Sequence, residues 1–365
     1  MNRKRKFVLV KLIIAFSITF SFLAHYFLYQ KFCLETRYAF DFGSGAIKSK
    51  AVEFDVCANK IHKVFGQFDK PIKFINCLIK LENNDYRIDE KCLNRAAIEF
   101  GNFESEYNIS CKVNKCAGVA TAWARKADNA GIIIDALAKQ GVQMKILSQF
   151  DEGVYAFNAV LKSGEIDSSI DPQEIIVWDI GGGSFQLTTL DPSGNIHVYN
   201  GAHGIESFEK EIRNILELSA DNKLPFFAGN ALDKALDYGY QKYGLLILKD
   251  RIIADKLKNP RVKIYAIGGP MTKGLKKQMY MPTRVTLKNL HDTAKVFENR
   301  TESDVYWNSF PELPMHYVKS AQVSLILIHG ILKGTGFKEI NILDSTISDY
   351  VLFEKKLWRK PKKVS

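Results

Sequence analysis

Beyond Cys116 the chain has no cysteine. Cys33, Cys57, Cys77, Cys92, Cys111 and Cys116 all lie in its first third, and 249 residues follow without another. No C-x-x-C pair and no Cys/His ligand spacing occurs, which argues against a structural zinc site. No nucleic-acid-binding motif is visible, and the net charge of +11 does not supply one, because the stretch Leu12–Glu354 carries 40 basic and 40 acidic residues. Long hydrophobic runs are also scarce. Val318–Lys333 is apolar but contains Lys319, Gln322 and His329, so it reads as a core helix.

What is present begins at the ends. Arg3, Lys4, Arg5, Lys6 and Lys11 precede Leu12–Tyr29, a run of 18 uncharged residues just long enough to span a bilayer. No good small-x-small cleavage site follows it, so it reads as an uncleaved signal anchor. The heavier N-terminal charge predicts a cytoplasmic N-terminus and an exported body, periplasmic or extracellular. An even number of cysteines confined to one segment of an exported chain points to disulfides, at least one of them among Cys57, Cys77, Cys92, Cys111 and Cys116. Cys111 and Cys116 are the nearest local pair, and buried free thiols are the alternative. Lys355, Lys356, Arg359, Lys360, Lys362 and Lys363 form a basic C-terminal tail.

At 365 residues with 46% apolar and 25% charged residues, the chain is long enough for two domains. Strands are predicted over Tyr38–Phe54 (two, around a turn), Val113–Ala120, Gln143–Leu147, Ile175–Asp179, Phe185–Leu190, Arg261–Ile267 and Glu339–Leu343. Helices are predicted around Glu90–Phe100, over Asn129–Gln140 stopped by Gly141, over Asp151–Leu161, and over Val318–Lys333. The polar segment Asp167–Gln173 is the best boundary. The expected division is 1–36 anchor, 37–168 first lobe, 169–354 second lobe and 355–365 basic tail, in an α/β fold.

Two stretches 138 positions apart say nearly the same thing: Phe40-Asp41-Phe42-Gly43-Ser44-Gly45 and Trp178-Asp179-Ile180-Gly181-Gly182-Gly183-Ser184. Each is an apolar run ending in Asp, then a Gly/Ser turn, then a run of β-branched and aromatic residues. Glycines let successive amides turn toward an anion, and the Asp can hold a hydrated divalent cation beside it. Two such turns predict two related lobes facing a shared phosphate cleft.

With Ala120-Thr121-Ala122-Trp123-Ala124-Arg125, Ser148-Gln149-Phe150-Asp151-Glu152-Gly153 and the segment Ile331–Ile342 following in order, the chain resembles the Ppx/GppA family of exopolyphosphatases and guanosine pentaphosphate phosphohydrolases over roughly residues 37–350. The resemblance implies a two-lobed actin/hexokinase-like (ribonuclease H-like) duplicated fold with an interdomain cleft. It implies hydrolysis of phosphoanhydrides in polyphosphate or a nucleoside polyphosphate. It makes Glu152 the general base. Gly43, Ser44, Thr121, Arg125, Gly181, Gly182, Gly183, Ser184, Gln186, Gly268 and Gly269 become the phosphate-binding set, with Arg125 as a planar clamp. Asp41 and Asp179 would sit around Mg²⁺ or another divalent cation. The partners implied are that substrate and, through the N-terminus, the membrane; a homodimer is allowed and no nucleic acid is expected.

The chain departs from the family at three places. Gly45 stands where the family usually has Asn, Gln186 where it has Glu, and Leu343–Tyr350 replaces a Gly-rich ending. A Gln can orient water but cannot hold a proton or offer negative charge to a cation. Gln186 and Asp151–Tyr155 are also similar to apyrase-type nucleoside triphosphate hydrolases, and an inactive polyphosphate or nucleotide sensor is a further alternative. The 27 positions from Arg125 to Glu152 fit the Ppx/GppA interval better than the apyrase one.

Overall fold

The computed structural model describes residues 28–358, except 73, 84, 202, 218–228 and 297–314, together with residues 16, 20, 21, 23 and 24. Two sheets are laid out on one plan. In the first lobe β1 (Leu34–Phe42), β2 (Ala46–Asp55) and β3 (Lys60–Pro71) form an antiparallel meander. A small hairpin, β4 (Leu78–Lys80) and β5 (Tyr86–Ile88), follows. β6 (Lys115–Ala120) and β7 (Val142–Ile146) then extend the main sheet in parallel, giving the order β3-β2-β1-β6-β7. In the second lobe β8 (Ile175–Ile180), β9 (Phe185–Leu190) and β10 (Ile196–Gly201) repeat the meander. β11 (Lys263–Ile267) and β13 (Glu339–Ile342) repeat the parallel pair, with β12 (Arg284–Thr286) added antiparallel at the edge. This is the expected duplicated two-lobed α/β fold. β8 is buried along its whole length, as a strand covered on both faces must be.

Helices cover the first sheet where the sequence supplies caps. Asp89 caps α1 (Glu90–Glu106) by accepting from the Lys91 amide. Two shorter helices, α2 (Ala122–Lys126) and α3 (Ala130–Lys139), follow β6. Ser148 caps α4 (Gln149–Lys162) by accepting from the Asp151 amide at 3.0 Å. That cap starts α4 two residues before the Asp151 expected from sequence, because a serine hydroxyl satisfies the free first-turn amides. In the second lobe come α5 (Ile205–Ile215), α6 (Gly229–Gly239), α7 (Arg251–Leu257), α8 (Pro270–Gln278), α9 (Leu287–Val296) and α10 (Met315–Thr335), and after β13 the chain forms α11 (Ile347–Val351). From Ala321 to Leu332 α10 is buried throughout and forms the centre of the second-lobe core.

All six cysteines are paired, Cys33 included: Cys33–Cys57, Cys77–Cys92 and Cys111–Cys116. The anchor expected over Leu12–Tyr29 lies for the most part outside the described residues. Among those described, no helix is long and apolar enough to cross a membrane.

The sequence reading assigns 169–354 to the second lobe, but residues from Ile347 onward return to the first. Ile347, Val351, Leu352, Phe353 and Leu357 pack with Ala39, Val52 and Phe54. The anchor of this strap is Arg37. Its guanidinium lies 3.9 Å from the Phe54 ring centre and 4.8 Å from that of Trp358, and it donates to the Leu352 carbonyl and to Glu35. No hydropathy signal marks this return, because the same apolar residues would serve in either core.

The continuation of α6, Tyr240–Gly244, crosses α10 where both chains carry glycine. A Cβ built on Gly330 would lie 2.7 Å from the Tyr240 amide nitrogen. Alanine normally gains a helix about 1 kcal/mol over glycine, but here the backbones must separate. We expect Gly330→Ala to destabilise the protein by about 1–3 kcal/mol, measured as a lower urea midpoint at unchanged slope; a midpoint that rises would show that the crossing tolerates a methyl group.

Candidate active site

Asp41 and Asp179 close the first strands of their lobes, and both following turns are shut by the same hydrogen bond. The Gly43 amide donates to the Ala46 carbonyl and the Gly181 amide to the Ser184 carbonyl, each at 3.0 Å. The turns face one another closely: a Cβ on Gly183 would lie 3.1 Å from Ser44 Oγ. The third turn follows β11. Gly268 has φ +101° and packs on the Ile180 carbonyl, and a Cβ there would also lie 3.0 Å from Asp179 Oδ1. Only glycine meets both demands.

Between these turns lies a cavity of about 90 Å³. Asp41, Gly43, Ser44, Thr121, Glu152, Asp179, Gly181, Gly182, Gly183, Ser184, Gln186, Gly268 and Gly269 all line it. Of the residues singled out from sequence, Arg125 is the exception. Its guanidinium is turned to the Leu147 carbonyl (2.8 Å) and to Glu152 Oε2 (3.0 Å), and it does not form part of the wall. The planar fork that suggested a phosphate clamp is here directed at the carboxylate.

Glu152 is 4% exposed, one turn into α4, and is held on Oε2 by Arg125 and by Gln186 Nε2 at 3.1 Å. Gln186 Nε2 also reaches Ser184 Oγ at 3.3 Å. Burial raises the Glu152 pKa, Arg125 draws it back, and Asp41 adds a further upward push. Burial pushes Asp179 up to about 7, with Glu152 and Asp41 adding to the rise and Lys48 opposing it. Asp41 is raised by burial as well, and its Oδ1 has no hydrogen-bond partner. Three carboxylates thus share a small space with too little positive charge to keep all of them ionised. A hard divalent cation held by one or two carboxylates, its other positions filled by phosphate oxygens and water, suits this donor set. Among the described residues no group of three His, Cys, Asp or Glu is placed to hold a metal ion.

Two cavity residues escape the sequence reading. Lys48 stands opposite Asp41 in the β1–β2 register; hairpin pairing, seven residues after the aspartate, was the signal available. Glu206 stands at the start of α5, its amide donating to the Gly182 carbonyl at 2.9 Å. A Cβ on Gly182 would lie 3.0 Å from its carboxyl carbon. A second cavity of about 400 Å³ adjoins the first, sharing Lys48, Gly269 and Thr346 and adding Lys50, Lys273 and Lys277. Burial lowers the Lys273 pKa, with Lys277 and Lys48 contributing.

The repeated sheets, paired turns and shared cavity define a two-lobed actin-like α/β fold with a cleft between the lobes. The model of the Ppx/GppA phosphatase family matches residues 81–222. Among solved structures, a Ppx/GppA family member from Aquifex aeolicus superposes with a TM-score of 0.62 at 15% identity, covering 89% of this chain and 98% of that one. An exopolyphosphatase from Cytophaga hutchinsonii superposes with a TM-score of 0.64 at 13% identity, covering 88% and 98%. At such identities the superpositions speak for the fold. No curated protein matches the sequence. The chain is thus similar to the Ppx/GppA phosphatase family over residues 81–222 and shares the fold of its solved members.

The raised carboxylates set a pH signature. A carboxyl whose folded pKa exceeds its unfolded value stabilises the fold below the unfolded value, and that contribution is lost as pH rises through the folded one. For Asp179 the loss falls between about 4 and 7. We therefore expect Asp179→Asn, in the absence of divalent cation, to raise the thermal midpoint relative to the parent at pH 8 and much less at pH 4.5. Thermal melts in a chelating buffer measure this; a difference independent of pH would contradict it.

Proposed function

We propose that the chain releases phosphate from linear polyphosphate or a nucleoside polyphosphate, with Glu152 activating the attacking water and Mg²⁺ or another divalent cation held by Asp41 and Asp179. The observation that carries this reading is the meeting of Glu152, Asp41 and Asp179 with both Gly/Ser turns in one cavity. Phosphoanhydride cleavage needs neutralised phosphate, a placed nucleophile and a group to receive its proton. The Ser44, Gly45, Gly182 and Gly183 turns offer backbone donors to phosphate, Lys48 offers a cation, and Glu152, its pKa raised by burial against the opposing pull of Arg125, lines the same cavity as the candidate base. Arg125 and Gln186 hold Glu152 Oε2, and Thr121 is a further hydrogen-bond partner of the same carboxylate, so the side chain is fixed in the cavity. The cation, when bound, would neutralise developing charge on the phosphate oxygens.

Glu152→Gln should lower turnover by about 10²–10⁴-fold with substrate binding largely retained, assayed as phosphate release from polyphosphate, guanosine pentaphosphate and ATP. Full activity in that variant would remove Glu152 from the mechanism. A wild-type protein that binds these compounds and releases nothing is the sensor outcome. Gln186→Glu separates the remaining readings: a gain in Mg²⁺-dependent rate marks Gln186 as a lost family carboxylate, and a fall marks it as a working water-orienting group of the apyrase kind.

We also propose that Leu12–Tyr29 anchors the chain, with the N-terminus cytoplasmic and the body exported, on the strength of the flanking charge and the three disulfides. A reporter fused after Ser365 that works only in the cytoplasm should be silent; an active one reverses the topology.

A further inference from the structure

The end of the first-lobe sheet opposite the cleft carries features the hydrolytic site does not use. β1 and β6 run in parallel away from it, with Arg37 in register with Lys115. At this end Cys33, at the foot of the N-terminal segment, is bonded to Cys57 in the β2–β3 turn. The Cys111–Cys116 disulfide closes the loop that feeds β6. On that loop Val113 is 85% exposed, the highest exposure among the described large hydrophobic residues. The C-terminus leaves from the same place. The turn Lys355–Trp358 packs on β6 and β7, and the Trp358 ring stacks by the Arg37 guanidinium. Past Trp358 the sequence reads Arg359-Lys360-Pro361-Lys362-Lys363, with no acid before the end. Lys60 and Lys112 share this end, while Glu35 is engaged by Arg37 and Lys115.

We propose that this end of the first lobe docks on an anionic phospholipid surface, with Val113 at the headgroup boundary, Lys60 and Lys112 on the same end, and the basic sequence beyond Trp358 adding positive charge. The inference rests on the anchor reading. Two observations choose lipid over a protein partner. The uncharged run ends at Tyr29, four residues before Cys33, which is about 6 Å if helical, so a run that spans the bilayer leaves this face against it. The basic sequence beyond Trp358 and the neighbouring lysines complement anionic headgroups, an attraction that acts only within about a Debye length. The two disulfides fix the contact loops to the sheet. One consequence is that β1, nine residues long, holds the phosphate turns roughly 25 Å above the bilayer, clear of the headgroup charge.

The test uses the full chain reconstituted into phosphatidylcholine vesicles with and without phosphatidylglycerol, their acyl chains brominated near the headgroup. Val113→Trp should show fluorescence quenching in excess of the wild-type chain on the anionic vesicles. Ile132→Trp, an exposed position on α3 near the opposite end of the sheet, should not. Replacing Arg359, Lys360, Lys362 and Lys363 by Gln in the Val113→Trp chain should bring its excess quenching down to the level seen on neutral vesicles, and added salt should do the same. Far-UV circular dichroism and the thermal midpoint confirm that each variant is folded. A chain that fails to float with the vesicles overturns the anchor reading and the docking together. A Val113→Trp chain that floats without excess quenching overturns the docking alone. If the introduced indole is instead shielded from acrylamide in detergent, in a concentration-dependent manner, a second copy replaces lipid as the occupant.

Discussion

Carboxylate repulsion in a small cavity is the constraint on which this molecule turns. Asp41, Asp179 and Glu152 each end or begin an element whose apolar residues are buried, so the fold places the acids together as a by-product of packing two lobes face to face. Burial alone would neutralise them. Lys48 and Arg125 relieve the repulsion only in part, since Glu152 and both aspartates remain raised. Some stability is therefore held in reserve, and a cation together with phosphate oxygens completes the charge balance. A site with this deficit fits the proposed reading, in which a cation and a phosphate each bring the charge the other lacks.

The lobes must stay apposed for that balance to exist. α4 carries Glu152 and presents Ala156, Phe157 and Val160 to Ile175 and Val177 of the second lobe, so the base belongs to the first lobe in chain order and to both in packing. The C-terminal strap acts in the opposite sense, carrying second-lobe chain back onto β1 and β2 through Leu352 and Phe353. Asp349, in the strap, meets Lys50 and bonds back to the Thr346 amide at 2.8 Å. Thr346 in turn lines both cavities. The strap thus links the first-lobe core to the cavity wall through Asp349 and Thr346.

Much of this was legible in the sequence, and for a local reason. The Asp–Gly/Ser turns are read from contiguous residues whose backbone demands admit few alternatives, and they located both phosphate turns and Asp41 and Asp179. α3 and α4 were legible from caps and periodicity, within two residues. What was not legible depends on side-chain direction or on distant partners. Arg125 has a sequence position that fits a phosphate loop, yet its direction is set by Glu152 and by the Leu147 carbonyl. Lys48 enters the site only through hairpin register. Glu206 enters through the seating of α5 on the second turn, where Gly204 lets the helix start touch the Gly181 and Gly182 carbonyls. The return of the chain after Ile347 leaves no mark in hydropathy.

Gln186 and Glu206 are best understood together. An acid at position 186 would put a second negative group 3.1 Å from Glu152 Oε2, where the Gln amide now donates a hydrogen bond. That arrangement is tolerable only with a cation always close to Glu152. The amide removes that requirement and fixes the base even when the cleft is empty. Glu206 supplies a carboxylate on the far side of the second turn, beside Gly45 and Gly182. The cavity therefore holds an acidic group across the Gly/Ser turns from Glu152. Negative charge there opposes a bare phosphate at the turns and favours one that arrives with its cation. With Gln186 in place Glu152 is held by an amide, and the other acids of the cavity are Asp41, Asp179 and Glu206, so the cavity's negative charge is spread over both turns and not gathered at Glu152.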